Sequence, residues 1–392
     1  MEFLRIHASF AYLYAASFLF ALSTYLITYI GSNFLSTSLP ENSVGLVYTM
    51  GAILGLGIFT FLPRLLHRFG IRVVLLSILS LEVCAFGVLT FIDLPLSNIL
   101  FFIAYLTLYP LCYYCFDILL EHLTVGEHIT GTLRGLLLTF VNAGLIIAPM
   151  IAGILLANES YRNVFLVSGL LLIPVALLIV KMTRKNPNAT VAPTYLPINI
   201  LDSVTCIRGR TNVVRIMIVQ FLLQVFFSFM VIYVPLYLHE HIGFTWLQIG
   251  LIFSIALLPY VLIEFPAGRL ADRYIGEKEL LVIGFCIVAG ATLVLAYTQR
   301  TDLAFWTILL FTTRIGAALI ESMSDSYFFK KVSSIDTRTI SFYRMLQPIA
   351  YLIGPLAGTL LLTFSGFHIL FVTLAAIMAF GIPVAYSLID TR

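Results

Sequence analysis

The sequence predicts an all-α integral membrane protein whose twelve helices form two related six-helix bundles. Of its 392 residues, 60% are hydrophobic and only 10% are charged, whereas soluble domains carry roughly a quarter charged residues. Twelve apolar stretches are long enough to cross the bilayer core as helices, which takes about 20 residues each. Because hydrocarbon offers no water to an open backbone, such stretches must be helical.

Short polar segments separate most of these stretches. The first stretch exceeds the apolar core of a signal peptide in length, so we expect it to be retained as a helix. The longest polar segment, 181–212, divides the chain into an N-terminal bundle at 1–180 and a C-terminal bundle at 213–392. The twelve stretches lie near residues 8–30, 43–62, 73–92, 97–120, 135–157, 163–180, 214–238, 246–267, 279–298, 303–328, 345–364 and 367–388.

Two short motifs each occur twice in the chain, at nearly the same offset. Arg273, within a loop run from 268 to 278, has a counterpart in Arg68, which lies 205 positions earlier. An Ala-Pro pair ending at Pro149 is echoed by a Gly-Pro pair ending at Pro355, 206 positions later. A shared offset for two independent motifs indicates an internal duplication, which in so apolar a chain points to a secondary transporter.

The same motifs carry a family resemblance. Gly268-x-Leu-Ala-Asp272-Arg273 resembles the cytoplasmic loop signature of the major facilitator superfamily, and the run from Gly135 through Gly144 to Pro149 resembles the helix 5 signature of that family's antiporters. The resemblance spans both halves of the chain. It implies transport by alternating access, a central cavity lined by helices 1, 4, 7 and 10, and a seam between the halves formed by helix pairs 2/11 and 5/8.

The basic residues predict the topology. Of 22 Lys and Arg residues, all but Arg162, Arg300 and Arg314 fall at the termini, in even-numbered loops or at the adjoining helix ends. By the positive-inside rule both termini and the 181–212 linker are cytoplasmic. We therefore expect a multi-pass plasma-membrane protein, as in a bacterial inner membrane. The basic loops mark topology and not a nucleic-acid site, and we expect a monomer.

Polar residues recur at helical spacing on the four helices that the resemblance assigns to the cavity. Arg314 is the only basic residue deep in a stretch, where an unpaired charge costs at least a few kcal/mol. It could anchor an anionic or zwitterionic substrate, or pair with Glu321 on the same helical face; both alternatives stay open. The predicted substrate-binding residues are Thr24, Tyr25, Thr28, Tyr105, Tyr109, Tyr113, Gln220, Gln224 and Arg314.

Acids within the stretches are candidates for proton coupling, because a low dielectric disfavours the charged carboxylate. We favour Glu321 and then Asp117, with Glu264 as a third candidate. Glu82 lies on a helix that the family places peripherally, so we interpret it as a buried structural acid. Protons are accordingly the predicted coupling ion.

The two copies of the loop motif predict a gate on the cytoplasmic side. Asp272 would meet the positive end of a helix dipole, and Arg273 could pair with acids at the inner end of helix 10. His67 stands where the family has Asp. We therefore expect the interactions that keep the gate closed to be strong at 268–278 and weak at 63–72. The predicted gate residues are Arg68, Gly70, Arg72, Glu121, Gly268, Asp272, Arg273, Gly276, Lys278 and Asp325, and the predicted hinge residues are Gly144, Pro149, Gly354 and Pro355.

Three functions fit these features. The first is proton-coupled export of small amphipathic molecules by an antiporter, based on the helix 5 signature and the aromatic cavity wall. The second is proton-coupled uptake of a specific anionic or zwitterionic metabolite, with Arg314 as its anchor. The third is a non-transporting membrane sensor, which should carry added soluble domains; no stretch of this sequence predicts one. An enzyme is excluded because no nucleotide loop, metal cluster or nucleophile–base pair appears, and no cofactor is expected.

Overall fold

The computed structural model describes residues 2–124, 130–185, 209–271, 275–332 and 336–389, and every regular element in these ranges is helical. This agrees with the all-α prediction. The helices are α1 Glu2–Thr28, α2 Gly31–Ser36, α3 Val44–Phe91, α4 Pro95–Thr124, α5 Thr130–Leu155, α6 Tyr161–Lys185, α7 Thr211–Glu240, α8 Trp246–Ala256, α9 Pro259–Leu262, α10 Glu264–Leu270, α11 Glu277–Tyr297, α12 Leu303–Lys331 and α13 Thr337–Tyr386, with a 3-10 turn at Glu41–Ser43 before α3.

Two helices are twice as long as a membrane crossing. Within the described residues, ten helical segments are long and apolar enough to cross a membrane, and two of these, Glu41–Phe91 and Arg338–Tyr386, have 51 and 49 residues. Each is broken at one glycine with positive φ: Gly70 at φ 77° and ψ 154°, and Gly366 at φ 74° and ψ −179°. Counting both as pairs gives twelve crossings, so the predicted membrane fold is confirmed.

The eighth predicted stretch, 246–267, is not one helix but three short ones, α8 to α10. Thr245 begins the first with a capping box, in which its side chain accepts from the Gln248 amide. The helix stops at Ala256, and Pro259 opens the next. Proline has no N–H for an interior helical bond and fits the first turn of a helix, which explains the break.

The chain forms two compact units. Unit 1 consists of Met1–Leu39 and Met50–Pro197, and unit 2 of Pro40–Thr49 and Ile198–Arg392. The predicted bundles at 1–180 and 213–392 lie in unit 1 and unit 2 respectively, apart from residues 40–49. Most of the predicted linker, 186–208, lies outside the described residues.

Helix α1 lies at the centre of unit 1, where it packs against α4, α5 and α6. A Cβ placed on Gly144 would lie 3.0 Å from the Leu22 nitrogen and 3.1 Å from the Ala21 Cβ, so α5 and α1 approach closely there. The Ser23 hydroxyl donates to the Ser168 carbonyl at 2.9 Å and joins α1 to α6. Small residues thus allow the close helix contacts on which membrane packing depends.

In unit 2, helix α13 packs against both α7 and α11, and α11 packs against α12. Gly284 and Gly316 mark the crossing of α11 and α12, since a Cβ on either would lie within 3.0 Å of the other's carbonyl oxygen. Trp306 is fully buried, and its ring nitrogen donates to the Arg300 carbonyl at 2.6 Å.

Candidate functional site

A ladder of tyrosines runs along α4 in unit 1. The ring centroids of Tyr105 and Tyr109 are 5.3 Å apart and stacked, and those of Tyr109 and Tyr113 are 6.4 Å apart and edge-on. This spacing follows from the i, i+4 repeat, which places the three residues on one helical face. Tyr105 is 3% exposed, whereas Tyr109 and Tyr113 are half-buried, so the latter two rings are the part of the ladder that an amphipathic ring system could contact.

Helix α1 contributes its predicted residues to the same place. The Tyr105 hydroxyl donates to the Thr24 carbonyl at 3.1 Å, and the Thr28 hydroxyl donates to the same carbonyl at 3.0 Å. Tyr25 lies beside Tyr113. The structure therefore brings together the candidate substrate-binding residues of the first and fourth crossings.

The acids of unit 1 differ in their surroundings. Glu82 is 1% exposed and contacts the Cys112 thiol of α4. On α4 itself, Asp117 is partly buried and Glu121, one turn further, is exposed. Glu82 is thus enclosed by protein, as its interpretation as a structural acid requires, whereas Asp117 is only partly buried.

In unit 2, the two glutamines of α7 are almost fully buried. The Ser324 hydroxyl of α12 donates to Gln220 Oε1 at 2.9 Å, which joins the seventh and tenth crossings. Gln224, one turn along, is 5% exposed, and its Oε1 has no hydrogen-bond partner among the described residues. A buried acceptor of this kind suits a ligand or water that donates a hydrogen bond.

Arg314 lies deep in unit 2 with only 2% of its surface exposed. Its guanidinium carbon is 5.9 Å from the centroid of the Phe226 ring and 6.0 Å from that of Phe227. The negative faces of two aromatic rings offset part of the cost of burying the cation. An anion entering this environment would be attracted strongly, because the local dielectric is low.

The acids of α12 lie toward its C-terminal end. Glu321 is half-buried and Asp325 is exposed. The Tyr343 hydroxyl of α13 donates to Asp325 Oδ1 at 2.7 Å and is 3.4 Å from the Ser324 hydroxyl. Tyr343 was not predicted from the sequence, although its place one turn inside the eleventh crossing puts it beside the end of the tenth.

The gate motif of unit 2 is described only in part. Asp272 and Arg273 lie outside the described residues, as does the side chain of Glu264. Gly268 lies in α10, and Gly276 precedes α11 with φ 95° and ψ 161°. The Lys278 ammonium lies 4.6 Å from the Tyr386 ring centroid.

Glu277, which lies inside this motif, forms an ion pair that was not predicted from the sequence. Glu277 is 1% exposed, pairs with Lys330, and accepts a hydrogen bond from Ser326 at 3.2 Å. It joins the first turn of α11 to the last turn of α12. An acid inside the motif, together with a lysine at the end of the neighbouring antiparallel helix, was the available signal.

The matching region of unit 1 has a different character. The Arg68 guanidinium lies 5.3 Å from the Phe69 ring. Among the described residues neither Arg68 nor Arg72 forms an ion pair. Gly70 nevertheless has nearly the same backbone conformation as Gly276, 206 positions later, so the duplication extends to the turn geometry.

The predicted hinge residues lie at close helix contacts. A Cβ on Gly354 would lie 2.0 Å from the Ser228 hydroxyl oxygen, and the Tyr233 hydroxyl donates to the Pro355 carbonyl at 2.7 Å. Gly144 lies against α1, as described above, and Pro149 lies inside α5. Each proline removes one backbone hydrogen bond from its helix.

One charged cluster lies outside the membrane spans, before α13. The Asp336 carboxylate pairs with the Arg210 guanidinium at 2.6 Å, and its two oxygens accept from the Thr339 amide at 3.2 Å and the Thr339 hydroxyl at 2.8 Å. Burial acts to raise the pKa of Asp336, but these hydrogen bonds outweigh burial and hold the pKa below its usual value of 3.8. Asp336 therefore caps α13 and fixes Arg210 to it.

Known proteins similar to this chain are membrane transporters. The model of the Major Facilitator Superfamily matches residues 119–258 and 216–392. Multidrug resistance protein MdtG of Salmonella paratyphi C (strain RKS4594) is 22% identical over 281 residues, which are 68% of this chain and 66% of that protein, slightly less than two thirds of its length. MdtG of Salmonella typhi matches with the same identity and coverage.

Two solved structures show the same fold. A point mutant of the nucleoside transporter NupG has a TM-score of 0.74 at 17% identity and covers 97% of this chain and 98% of its own. A point mutant of the peptide transporter POT has a TM-score of 0.77 at 11% identity and covers 96% and 93%. The resemblance in the sequence motifs is thereby confirmed. The chain belongs to the Major Facilitator Superfamily, and thus to a class of multi-pass membrane transporters and not of enzymes.

Proposed function

We propose that this protein is a secondary active transporter that works by alternating access and exports small amphipathic molecules in exchange for protons. The tyrosine ladder of α4 is the observation that carries the proposal, because stacked and edge-on rings accept varied apolar bodies without fixed geometry. The similarity to MdtG, a multidrug resistance protein, agrees with export.

In this proposal the protons that drive export bind to acids that are partly buried and partly exposed. Glu321 is half-buried on α12, and Asp117 holds a similar position on α4, so each can bind a proton from water and lose it again. Glu264 is the third candidate. Substrate contacts are assigned to the predicted residues of the four cavity helices.

The remaining predictions complete the proposed transport cycle. The bundles at 1–180 and 213–392, joined by the 181–212 linker, open the cavity to one side of the membrane at a time. Both termini lie in the cytoplasm of a bacterial cell, and the working form is the monomer. The inner gate comprises the predicted residues of 63–72 and 268–278 together with Glu121 and Asp325. Gly144, Pro149, Gly354 and Pro355 act as hinges.

The second candidate is uptake of an anionic or zwitterionic metabolite, and it is favoured by Arg314. A buried guanidinium between two phenylalanine rings is a suitable anchor for a carboxylate or phosphate. Gln224 adds a buried acceptor on the facing helix. NupG and POT, which share the fold, are named for nucleoside and peptide transport.

The two candidates are separated by transport in proteoliposomes under an imposed pH gradient. Lipophilic cations and small organic anions are compared for the wild type, Arg314→Ala and Glu321→Gln. Arg300→Ala and Glu240→Gln serve as matched controls, since both remove a charge at an exposed position.

Export predicts that cations move against the proton gradient and that this movement is lost in Glu321→Gln but kept in Arg314→Ala. Movement of anions that is lost in Arg314→Ala establishes uptake instead. A protein that moves neither class faster than empty liposomes contradicts both candidates. Equal losses in the control variants would show a general effect of charge removal.

A further inference from the structure

The beginning of the second crossing belongs to unit 2, although the rest of that helix belongs to unit 1. Residues Pro40–Thr49, here called the docked segment, group with unit 2, whereas Met50 and the residues after it group with unit 1. The Thr49 hydroxyl is 3.5 Å from the Leu352 carbonyl of α13. The first residues of α3 therefore pack within unit 2.

At Gly45 the docked segment packs so closely against α7 and α13 that no side chain has room. A Cβ on this residue would lie 2.4 Å from each of three atoms, namely the Pro355 carbonyl oxygen, the Thr359 hydroxyl oxygen and the Tyr233 hydroxyl oxygen. No side chain larger than hydrogen fits at such distances. The backbone of α3 thus touches α7 and α13 at a point that only glycine permits.

An acid–histidine pair lies at the N-terminal end of the docked segment. Glu41 Oε2 lies 3.0 Å from His241 Nε2, and the two side chains are 36% and 43% exposed. The imidazole lies between the rings of Tyr237 and Phe367, with centroid distances of 5.7 Å and 4.7 Å. Both rings present aromatic surface to a cation on His241.

The other titratable and charged groups near His241 either contact other residues or are exposed. On α7, His239 Nδ1 lies 3.0 Å from the Phe244 carbonyl, and Glu240 is exposed next to His241. On α13, His368 Nδ1 lies 2.9 Å from the Ala296 carbonyl. Between α11 and α12, the Arg300 guanidinium lies over Phe305, and Asp302 accepts from the Ala304 amide. Glu41 is the one carboxylate in ion-pair contact with His241 among the described residues.

We propose that Glu41 and His241 form a proton-binding site that fastens the docked segment to unit 2. Neutral imidazole makes an ordinary hydrogen bond to the carboxylate, whereas imidazolium makes a charge-assisted one and is attracted to both rings. Histidine is the side chain that changes charge near neutral pH. Acid therefore tightens the attachment, and alkali loosens it.

The consequence is a proton site outside the candidate cavity. By the predicted topology it faces the outside, so the external pH sets how readily the docked segment leaves unit 2. The inference depends neither on the substrate nor on the direction of transport. Because both side chains are at least one-third exposed, we expect a modest effect, about two- to fivefold in the ratio of docked to released segment.

The test is a distance measurement by double electron–electron resonance on the full chain in lipid nanodiscs. Spin labels are placed at Ser43→Cys in the docked segment and at Gln299→Cys in unit 2, with the native cysteines replaced by serine. The docked fraction is compared between about pH 5.5 and about pH 8, which bracket the titration of histidine. In the wild-type background it should fall at the higher pH.

Variants of the acid–histidine pair and of Gly45, each with a control, test whether this pair causes the pH response. In His241→Gln and Glu41→Gln the pH response should disappear, while Glu240→Gln, which removes the exposed acid beside His241, should keep it. Gly45→Ala should lower the docked fraction at both pH values, and Gly57→Ala, with no atom within 4 Å of its Cβ, should not. A pH response that survives in His241→Gln, or none in the wild-type background, overturns the proposal.

Discussion

Replacing Gly358 by alanine should destabilise unit 2 at the contact between α13 and α7. The new Cβ would lie 2.3 Å and 2.4 Å from two ring carbons of Tyr233 and 2.4 Å from its hydroxyl oxygen. Tyr233 is fully buried, and its hydroxyl donates to the Pro355 carbonyl at 2.7 Å. The ring therefore cannot move without losing this bond.

The magnitude follows from these distances. Ordinary contact begins at 3.4 Å, so the ring or the helix must retreat by about 1 Å. Overpacking of this kind costs about 1–3 kcal/mol, and a lost hydrogen bond adds about 0.5–1.5 kcal/mol. We expect Gly358→Ala to lower the free energy of unfolding by about 1.5–4.5 kcal/mol, the sum of these two costs.

Unfolding in mixed micelles of increasing SDS content, followed by far-UV circular dichroism, measures this loss. Gly57→Ala is the matched control, because a Cβ there meets nothing within 4 Å. Adding Tyr233→Leu to Gly358→Ala should recover part of the loss, since the two residues are in contact and their effects should not add. Equal stability of Gly358→Ala and Gly57→Ala would refute the steric reasoning.

Two further predictions concern a turn and a charged cap. Gly70→Ala should cost about 1–3 kcal/mol of stability, because φ 77° with ψ 154° is a region that only glycine occupies readily; Gly87→Ala, whose Cβ meets no atom within 4 Å, is its control in the same SDS titration. Asp336 has a folded-state pKa below its usual value, so its charge adds stability above about pH 4 that is lost as the pH falls through the folded pKa. Thermal unfolding of the wild type and Asp336→Asn should therefore differ at neutral pH, and the difference should shrink as the pH falls below about 4, since asparagine keeps the cap; a difference that grows in acid would contradict this.

The membrane fold could be predicted because it depends on the length of apolar runs and on the offset between the repeated motifs. Long apolar runs must become helices in hydrocarbon, whatever their neighbours. The offset of about 206 residues likewise appears in the backbone, in the matching φ of Gly70 and Gly276. The breaks inside the eighth stretch were missed because hydropathy does not register Pro259, whose effect lies in a lost backbone donor.

The candidate site was less predictable, because ion pairs depend on which helices are neighbours and on rotamers. Helical spacing placed Tyr105 and Tyr109 on one helical face, and their ring centroids are 5.3 Å apart. It did not indicate that the Tyr105 hydroxyl would donate to the Thr24 carbonyl of another helix. It could not indicate that Glu277, inside the gate motif, would pair with Lys330 of the neighbouring helix. The roles of Arg314 and Glu321 remain predictions, since they concern a substrate and a proton.

The single glycine that separates the second and third crossings has a consequence for how the protein is made. One non-helical residue, Gly70, lies between two crossings that α3 otherwise joins without interruption. The residues between the two crossings, 63–72, are helical except at this glycine, which leaves the connection a single point of bending. The two crossings should therefore enter the bilayer together as a hairpin, and an epitope inserted at Gly70 should block biogenesis before it affects transport.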